Sequence, residues 1–204
     1  MEHLDRRPSA LVRGLMKTSD LVLTAERWLI SGLMSLLVAL VLLNVVTRYS
    51  GHPVYWVDEA SVYAVVWLTF VGASIMTRLR LDFAVGLLTD QLPPYLANIF
   101  KRIATLGVVV FGCAMLAMCW LWMDPVGLAR HGFDAKEFAG QSFNFLYTLK
   151  SQTLEWPMWA LQLIMPLFAL GLTIHALANL LEDLDLAPRR GHPEFHVSSP
   201  DAVQ

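Results

Sequence analysis

The stretch WVDEASVYAVVWLTFVGAS, Trp56 to Ser74, decides the fold class. Asp58 and Glu59 open it, and no charged residue follows until Arg78. Crossing the hydrocarbon of a bilayer takes about 20 apolar residues, so the run is long enough to span a membrane. A carboxylate in hydrocarbon is costly, and the acidic pair must therefore face water at a helix mouth or be engaged inside the protein.

Working outward, three further segments read the same way. The first span runs from Trp28 to about Thr47, the second from about Asp58 to Thr77, the third from about Ile103 to Met123 and the fourth from about Trp156 to Leu181. None has an Asp, Glu, Lys or Arg inside it apart from the pair at the mouth of the second. The 204 residues are 56% hydrophobic and only 16% charged, with a mean hydropathy of +0.51. This composition lies well outside that of soluble domains and predicts an all-α integral membrane protein. A net charge of -2 with scattered basic residues excludes a nucleic-acid partner and leaves the lipid bilayer as the surface in contact. Cys113 and Cys119, six positions apart in one apolar run, can form neither a CxxC motif nor a bridge within a straight helix, and read as small apolar fillers. The first 27 residues hold no apolar core ending in a small-residue cleavage site, so no removed signal peptide is expected.

Lysine and arginine set the expected orientation. Eleven lie before the first span, between the second and third, or after the fourth, whereas Arg48, Arg130, Lys136 and Lys150 make four on the other side. Both termini are therefore expected in the cytoplasm, with Arg78, Arg80, Lys101 and Arg102 forming a cytoplasmic interface. Trp56, Trp120, Trp122, Trp156 and Trp159 fall at the opposite, outer ends of the spans, where an amphipathic ring suits the headgroup layer. Between the second and third spans, Leu81, Val85, Leu88 and Leu92 recur at helical spacing before Pro93-Pro94, which predicts an in-plane amphipathic helix. Residues 9–27 are a weaker candidate of that kind. The expected organisation is thus a cytoplasmic amphipathic segment over 1–27, a four-helix membrane domain over 28–182 and a flexible cytoplasmic tail over 183–204. The outer segment from Asp124 to Glu155 has room for a short surface helix.

No phosphate loop, nucleophile elbow or metal-ligand cluster is present, so neither an enzyme nor a cofactor is expected. His175 lies alone within a span and lacks the second histidine that a membrane haem needs; with Asn44, Gln162 and Asn179 it reads as an interhelical hydrogen-bonding group, and Pro166 as a tolerated kink. Small residues at four-residue spacing, Ser31 and Ser35, Ala60 and Ala64, Ala169 and Thr173, allow close helix packing. The link between the first two spans contains one cation, Arg48, facing Asp58 and Glu59. At a low-dielectric edge these groups are expected to pair, an exposed and independent set being the alternative, and their place at the mouth argues against a transported-ion site.

These residues also carry a likeness to a family. Arg48-Tyr49 ending the first span, Trp56 and Asp58-Glu59 opening the second, Trp67 and Gly72-Ala73 within it, Arg78 after it and Leu92-Pro93 closing the amphipathic stretch form an ordered set. That set resembles the small membrane subunit, the DctQ-type permease, of tripartite ATP-independent periplasmic (TRAP) transporters, over about residues 28–182. Asp82 to Gly86 departs from the family's His-hydrophobic-x-Val-Asp stretch, and the outer loop between the third and fourth spans is longer than the family suggests. The resemblance implies a bacterial inner-membrane subunit that scaffolds a large permease subunit and helps dock a periplasmic solute-binding protein, in uptake of an organic acid or related solute driven by sodium or another ion gradient. From the residues themselves, Arg48, Tyr49, Trp56, Asp58 and Glu59 are expected to form an outer-face interaction or structural group. Two rivals are a membrane anchor for a redox enzyme, which calls for more intramembrane histidines, and a small multidrug exporter, which calls for an acid within the first span.

Overall fold

The structure is a computed structural model that describes residues 9–81 and 93–191. Among them the regular structure is helical apart from an isolated antiparallel bridge between Lys150 and Pro157. The helices are α1 (Ala10–Tyr49), α2 (Trp56–Leu79), α3 (Pro94–Met123), α4 (Pro125–Arg130), α5 (Ala135–Ser142), α6 (Met158–Gln162) and α7 (Ile164–Asp183). Among the described residues four stretches are long and apolar enough to cross a membrane: Ala10–Tyr49, Trp56–Leu79, Pro94–Arg130 and Met158–Asp183. The in-plane helix expected after Leu81 falls on residues 82–92, outside the described residues.

Helix α1 departs from expectation: residues 9–27 are not a separate in-plane helix but the first part of the helix that continues to Tyr49. Nothing between Ala10 and Tyr49 breaks a helix, since proline is absent and Gly14 and Gly32 are isolated. Its forty residues, at 1.5 Å each, extend about 60 Å, twice the hydrocarbon thickness. The hydroxyls of Thr18, Thr24, Ser31, Ser35 and Thr47 donate to carbonyls four residues back, so these polar groups are satisfied within the helix. Helix α1 ends at a turn in which the amide of His52 donates to the Thr47 carbonyl and Gly51 takes a φ of 77°, a conformation only glycine adopts without strain.

The fourth span is broken where the sequence requires it. Pro166 has no N–H to give the Gln162 carbonyl, so α6 stops at Gln162 and α7 starts at Ile164. One residue earlier, the indole N–H of Trp67 donates to the Leu161 carbonyl at 2.9 Å. The outer segment expected to hold a short helix holds two, each with an aspartate cap. Asp124 accepts from the Gly127 amide, and Asp134 from the amides of Lys136 and Glu137.

The described residues fall into two compact units. One takes residues up to Ala25, Ala73–Cys113 and those from Leu170 onward. In it Met16, Ala178 and Ala187 are buried together, with Val12 and Leu181 packed against them. Ala187 belongs to the segment read as a flexible tail from 183. Residues 184–191 instead turn back: Asp185 takes a left-handed conformation, the Leu186 amide donates to the Leu181 carbonyl, and Arg190 pairs with Asp20. Gly112 approaches Thr173 so closely that an added Cβ would lie 3.3 Å from the Thr173 Cα. The other unit comprises Glu26–Gly72 and Ala114–Ala169. Here Leu40, Val57 and Ala64 form a buried cluster joined by Leu37, Val54 and Ala60, so the small pair Ala60 and Ala64 does serve close packing. Ser31 and Ser35 are exposed.

Candidate functional site: ion pairs at the helix ends

In the unit holding Glu26–Gly72, the acidic pair of the second span divides its work. Asp58 Oδ2 receives Arg48 Nη2 at 2.8 Å, while Asn44 bridges the two, donating from Nδ2 to Asp58 Oδ1 and accepting from Arg48 Nε. Glu59 does not join them. Successive residues of an α-helix point about 100° apart, and the Glu59 carboxylate is turned toward the turn after Ser151. There it accepts the amides of Gln152 at 3.0 Å, Thr153 at 2.7 Å and Leu154 at 3.0 Å, and the Thr153 hydroxyl. The turn is closed by Ser151 N–H to the Trp156 carbonyl and Met158 N–H to the Leu149 carbonyl. Three backbone donors converging on one carboxylate make an anion nest, filled here by a residue of the same chain. Tyr49 and Trp56 are exposed and belong to neither group.

The same face of α2 continues with Tyr63, Trp67 and Phe70. The hydroxyl of Tyr63 donates to Met158 Sδ, Trp67 bonds the Leu161 carbonyl, and the Phe70 ring lies 5.2 Å from that of Phe168. In the outer elbow, Phe138 is buried against His131 and Tyr147, and the Tyr147 hydroxyl and Asn144 amide donate to the last carbonyls of α3, at Met123 and Trp122. Both ring nitrogens of His131 face acceptors, the Gly127 carbonyl and Gln141 Oε1. The bond to Gly127, then that to Gln141, raises its pKa above 6.5.

The unit holding Ala73–Cys113 contains a deeper network. Arg78 donates from Nη1 to Asn179 Oδ1 at 2.6 Å and from Nη2 to Glu182 Oε1 at 2.9 Å, and the Arg78 and Glu182 side chains are 1% and 3% exposed. Arg80 Nη1 bonds both oxygens of Asp183, and its Nη2 bonds the Asn179 carbonyl. Thr105 donates to Asp183 Oδ2, and Arg102 Nε to the Asp183 carbonyl, which brings α3 into the network. Asn179, Glu182 and Asp183, at spacings of three and four, share one face of α7. Arg80 sits at a φ of 55°, a left-handed conformation costing on the order of 1–3 kcal/mol for a residue other than glycine. Its bonds to Asp183 and Asn179 hold it there. His175, one turn before Asn179, meets the Ser19 hydroxyl at 2.8 Å. Of the four basic residues expected at this end, Arg78, Arg80 and Arg102 belong to the network, whereas Lys101 is exposed. The acids that meet them were not among the residues expected from the sequence. Glu182 and Asp183 close the fourth span within one turn of Asn179, and acids at that span end opposite the arginines that close the second are the signal in the sequence for this pairing.

Apolar helices of spanning length, with charges gathered at their ends and joined to one another, define a polytopic membrane protein. The model of the family described as tripartite ATP-independent periplasmic transporters, DctQ component, matches residues 37–186, and the chain belongs to that family. It is a multi-pass protein of the inner membrane. The chain is 26% identical over 113 residues to the C4-dicarboxylate TRAP transporter small permease protein DctQ of Vibrio cholerae, covering 55% of this chain and 49% of that one. It is 30% identical over 93 residues to a Haemophilus influenzae protein assigned as a TRAP transporter small permease, covering 45% of this chain and 56% of the other. The chain thus spans about half the length of the curated relatives it matches. No solved structure matches it.

Proposed function

We propose that this chain is the small permease subunit of a TRAP transporter, a non-catalytic brace for a large permease subunit and part of the surface on which a periplasmic solute-binding protein docks. The observation that carries the reading is where its charges go. Asp58, Glu59, Arg78, Glu182 and Asp183 all sit at helix ends and are engaged with residues of the same chain, and the span interiors carry no Asp, Glu, Lys or Arg from which to build an ion path. Meanwhile only 6% of the apolar window of α1 is buried, and Met34, Val38, Val41 and Val45 form an exposed stripe suited to packing against a larger membrane subunit.

In this reading both termini and the network around Arg78 face the cytoplasm, supported by the excess of lysine and arginine at that end. The turn held by Glu59, the Arg48–Asp58 pair and the exposed Tyr49 and Trp56 then face the periplasm and the binding protein. The solute is an organic acid or related compound, supported by the dicarboxylate transporter named for the Vibrio relative, and an ion gradient, sodium first among candidates, drives uptake. The testing experiment is co-purification. A tagged chain expressed with the large permease subunit should retain it in detergent, and Val38→Lys/Val45→Lys should release it while leaving the chain folded. Retention by the double variant would remove the α1 stripe from the interface, and no retention by the native chain would defeat the reading. Impermeant thiol labelling of cysteines placed at Gly51 and Gly132, but not at Gly191, checks the orientation.

A further inference from the structure

Near the start of α3 the ion-pair network leaves a small polar cavity open. It has a volume of about 80 Å³ and is lined by Asn98, Lys101, Arg102, Asp183, Asp185 and Arg189. The charges around it do not cancel. Asp183 is buried and already engaged, with Arg80 Nη1 at 2.9 and 3.1 Å and Thr105 Oγ1 at 2.8 Å, and Arg189 reaches it only at 3.7 Å. Asp185, whose side chain is 82% exposed, meets Arg102 at 3.4 Å. Lys101 is exposed and pairs with no acid among the described residues. Three cations thus face a cavity whose acids are either committed elsewhere or loosely held, which makes it a receptor for an anion.

Directly along α3 from this cavity the surface turns apolar. Ile103, Leu106 and Val110 are 60%, 50% and 61% exposed, and their spacings of three and four place them in one stripe that follows Arg102. An anion attached to hydrocarbon chains satisfies both parts, whereas a soluble anion uses only the first. We propose that the cavity holds the phosphate headgroup of an anionic phospholipid, whose acyl chains run along Ile103, Leu106 and Val110. Basic pockets between membrane helices are a recognised setting for such headgroups. Occupancy would tie α3 to the segment after α7 through Lys101 and Arg189, adding to the bond from Arg102 to the Asp183 carbonyl.

The test is native mass spectrometry of the full-length protein, stripped of lipid in detergent and titrated separately with phosphatidylglycerol, phosphatidylcholine and inorganic phosphate. Phosphatidylglycerol should bind roughly tenfold or more tighter than phosphatidylcholine, as expected for two or more cations near one phosphate. Lys101→Gln/Arg189→Gln should remove the preference. Asp185→Asn should strengthen it severalfold by deleting the competing acid. Asparagine tolerates the left-handed backbone at that position, so this variant keeps the test decisive if the double variant fails to fold. Equal retention of the two lipids, an undiminished preference in the double variant or a weakened one in Asp185→Asn would overturn the proposal. Displacement of phosphatidylglycerol by millimolar inorganic phosphate would assign the cavity to a soluble anion and overturn it as well.

Discussion

Removing the Glu182 carboxylate puts the buried network under the most direct strain. In Glu182→Ala the Arg78 guanidinium keeps its bond to Asn179 but loses the acid 2.9 Å from Nη2, at a side chain only 1% exposed. Its Nε has no partner among the described residues. Stranding one member of a buried ion pair costs about 3–5 kcal/mol. The Arg48–Asp58 pair, with side chains 61% and 50% exposed, falls in the range of about 0–1 kcal/mol. Purified full-length protein can be unfolded in mixed micelles by titrating SDS and followed by tryptophan fluorescence, for Arg78→Ala, Glu182→Ala, their double variant and the matching Arg48/Asp58 cycle. Glu182→Ala should lose at least about 2 kcal/mol more than Asp58→Ala. Arg78→Met/Glu182→Met, which removes both desolvated charges at once, should recover most of that loss. Equal losses for Glu182→Ala and Asp58→Ala, or additive effects of the two buried substitutions, would refute the reasoning.

Three further outcomes follow from the geometry. Gly112→Ala should destabilise by about 1–3 kcal/mol through its contact with Thr173, while Gly107→Ala, with nothing within 4 Å of an added Cβ, should be neutral or stabilising by up to about 1 kcal/mol in the same unfolding assay. Glu59→Gln should speed hydrogen exchange at the amides of Gln152, Thr153 and Leu154 on the order of tenfold, leaving Arg48 and Asp58 paired. Because the folded pKa of His131 is raised, its contribution to the outer elbow is complete below pH 6.5 and lost as pH rises through the folded value. Exchange at residues 127–141 should therefore quicken with rising pH beyond the intrinsic rate, and His131→Phe should abolish that excess.

The sequence made the spans legible because hydrocarbon admits so few residue types, and the end of each run is marked by a charge. It also pointed Arg48 to the acidic pair, since a short link leaves Arg48 little else to meet, but left open which of Asp58 and Glu59 it meets. What it hid depended on facing. Glu59 stands next to Asp58 yet turns to amides more than ninety positions away, and backbone donors leave no trace in residue type. The Arg78 network needs the end of α2 and the end of α7 placed side by side, which periodicity within either helix cannot supply. The continuity of α1 was obscured for a different reason. Polar residues over 9–27 suggest a change of environment, but a helix can leave a membrane without breaking when nothing in it disrupts the backbone bonds. The folded return of residues 184–191 shows the limit of composition: Asp185 and Leu186 close a cap and Arg190 pairs with Asp20 instead of leaving a free tail.

Reconstituted uptake tests whether this chain, as proposed above, braces a transporter without transporting alone. Liposomes carrying an imposed sodium gradient, with a solute-loaded binding protein outside, would contain the small subunit alone, the large permease subunit alone, or both. Solute should accumulate only when both are present. Accumulation by the small subunit alone, or full uptake by the large subunit without it, would rule out the bracing role.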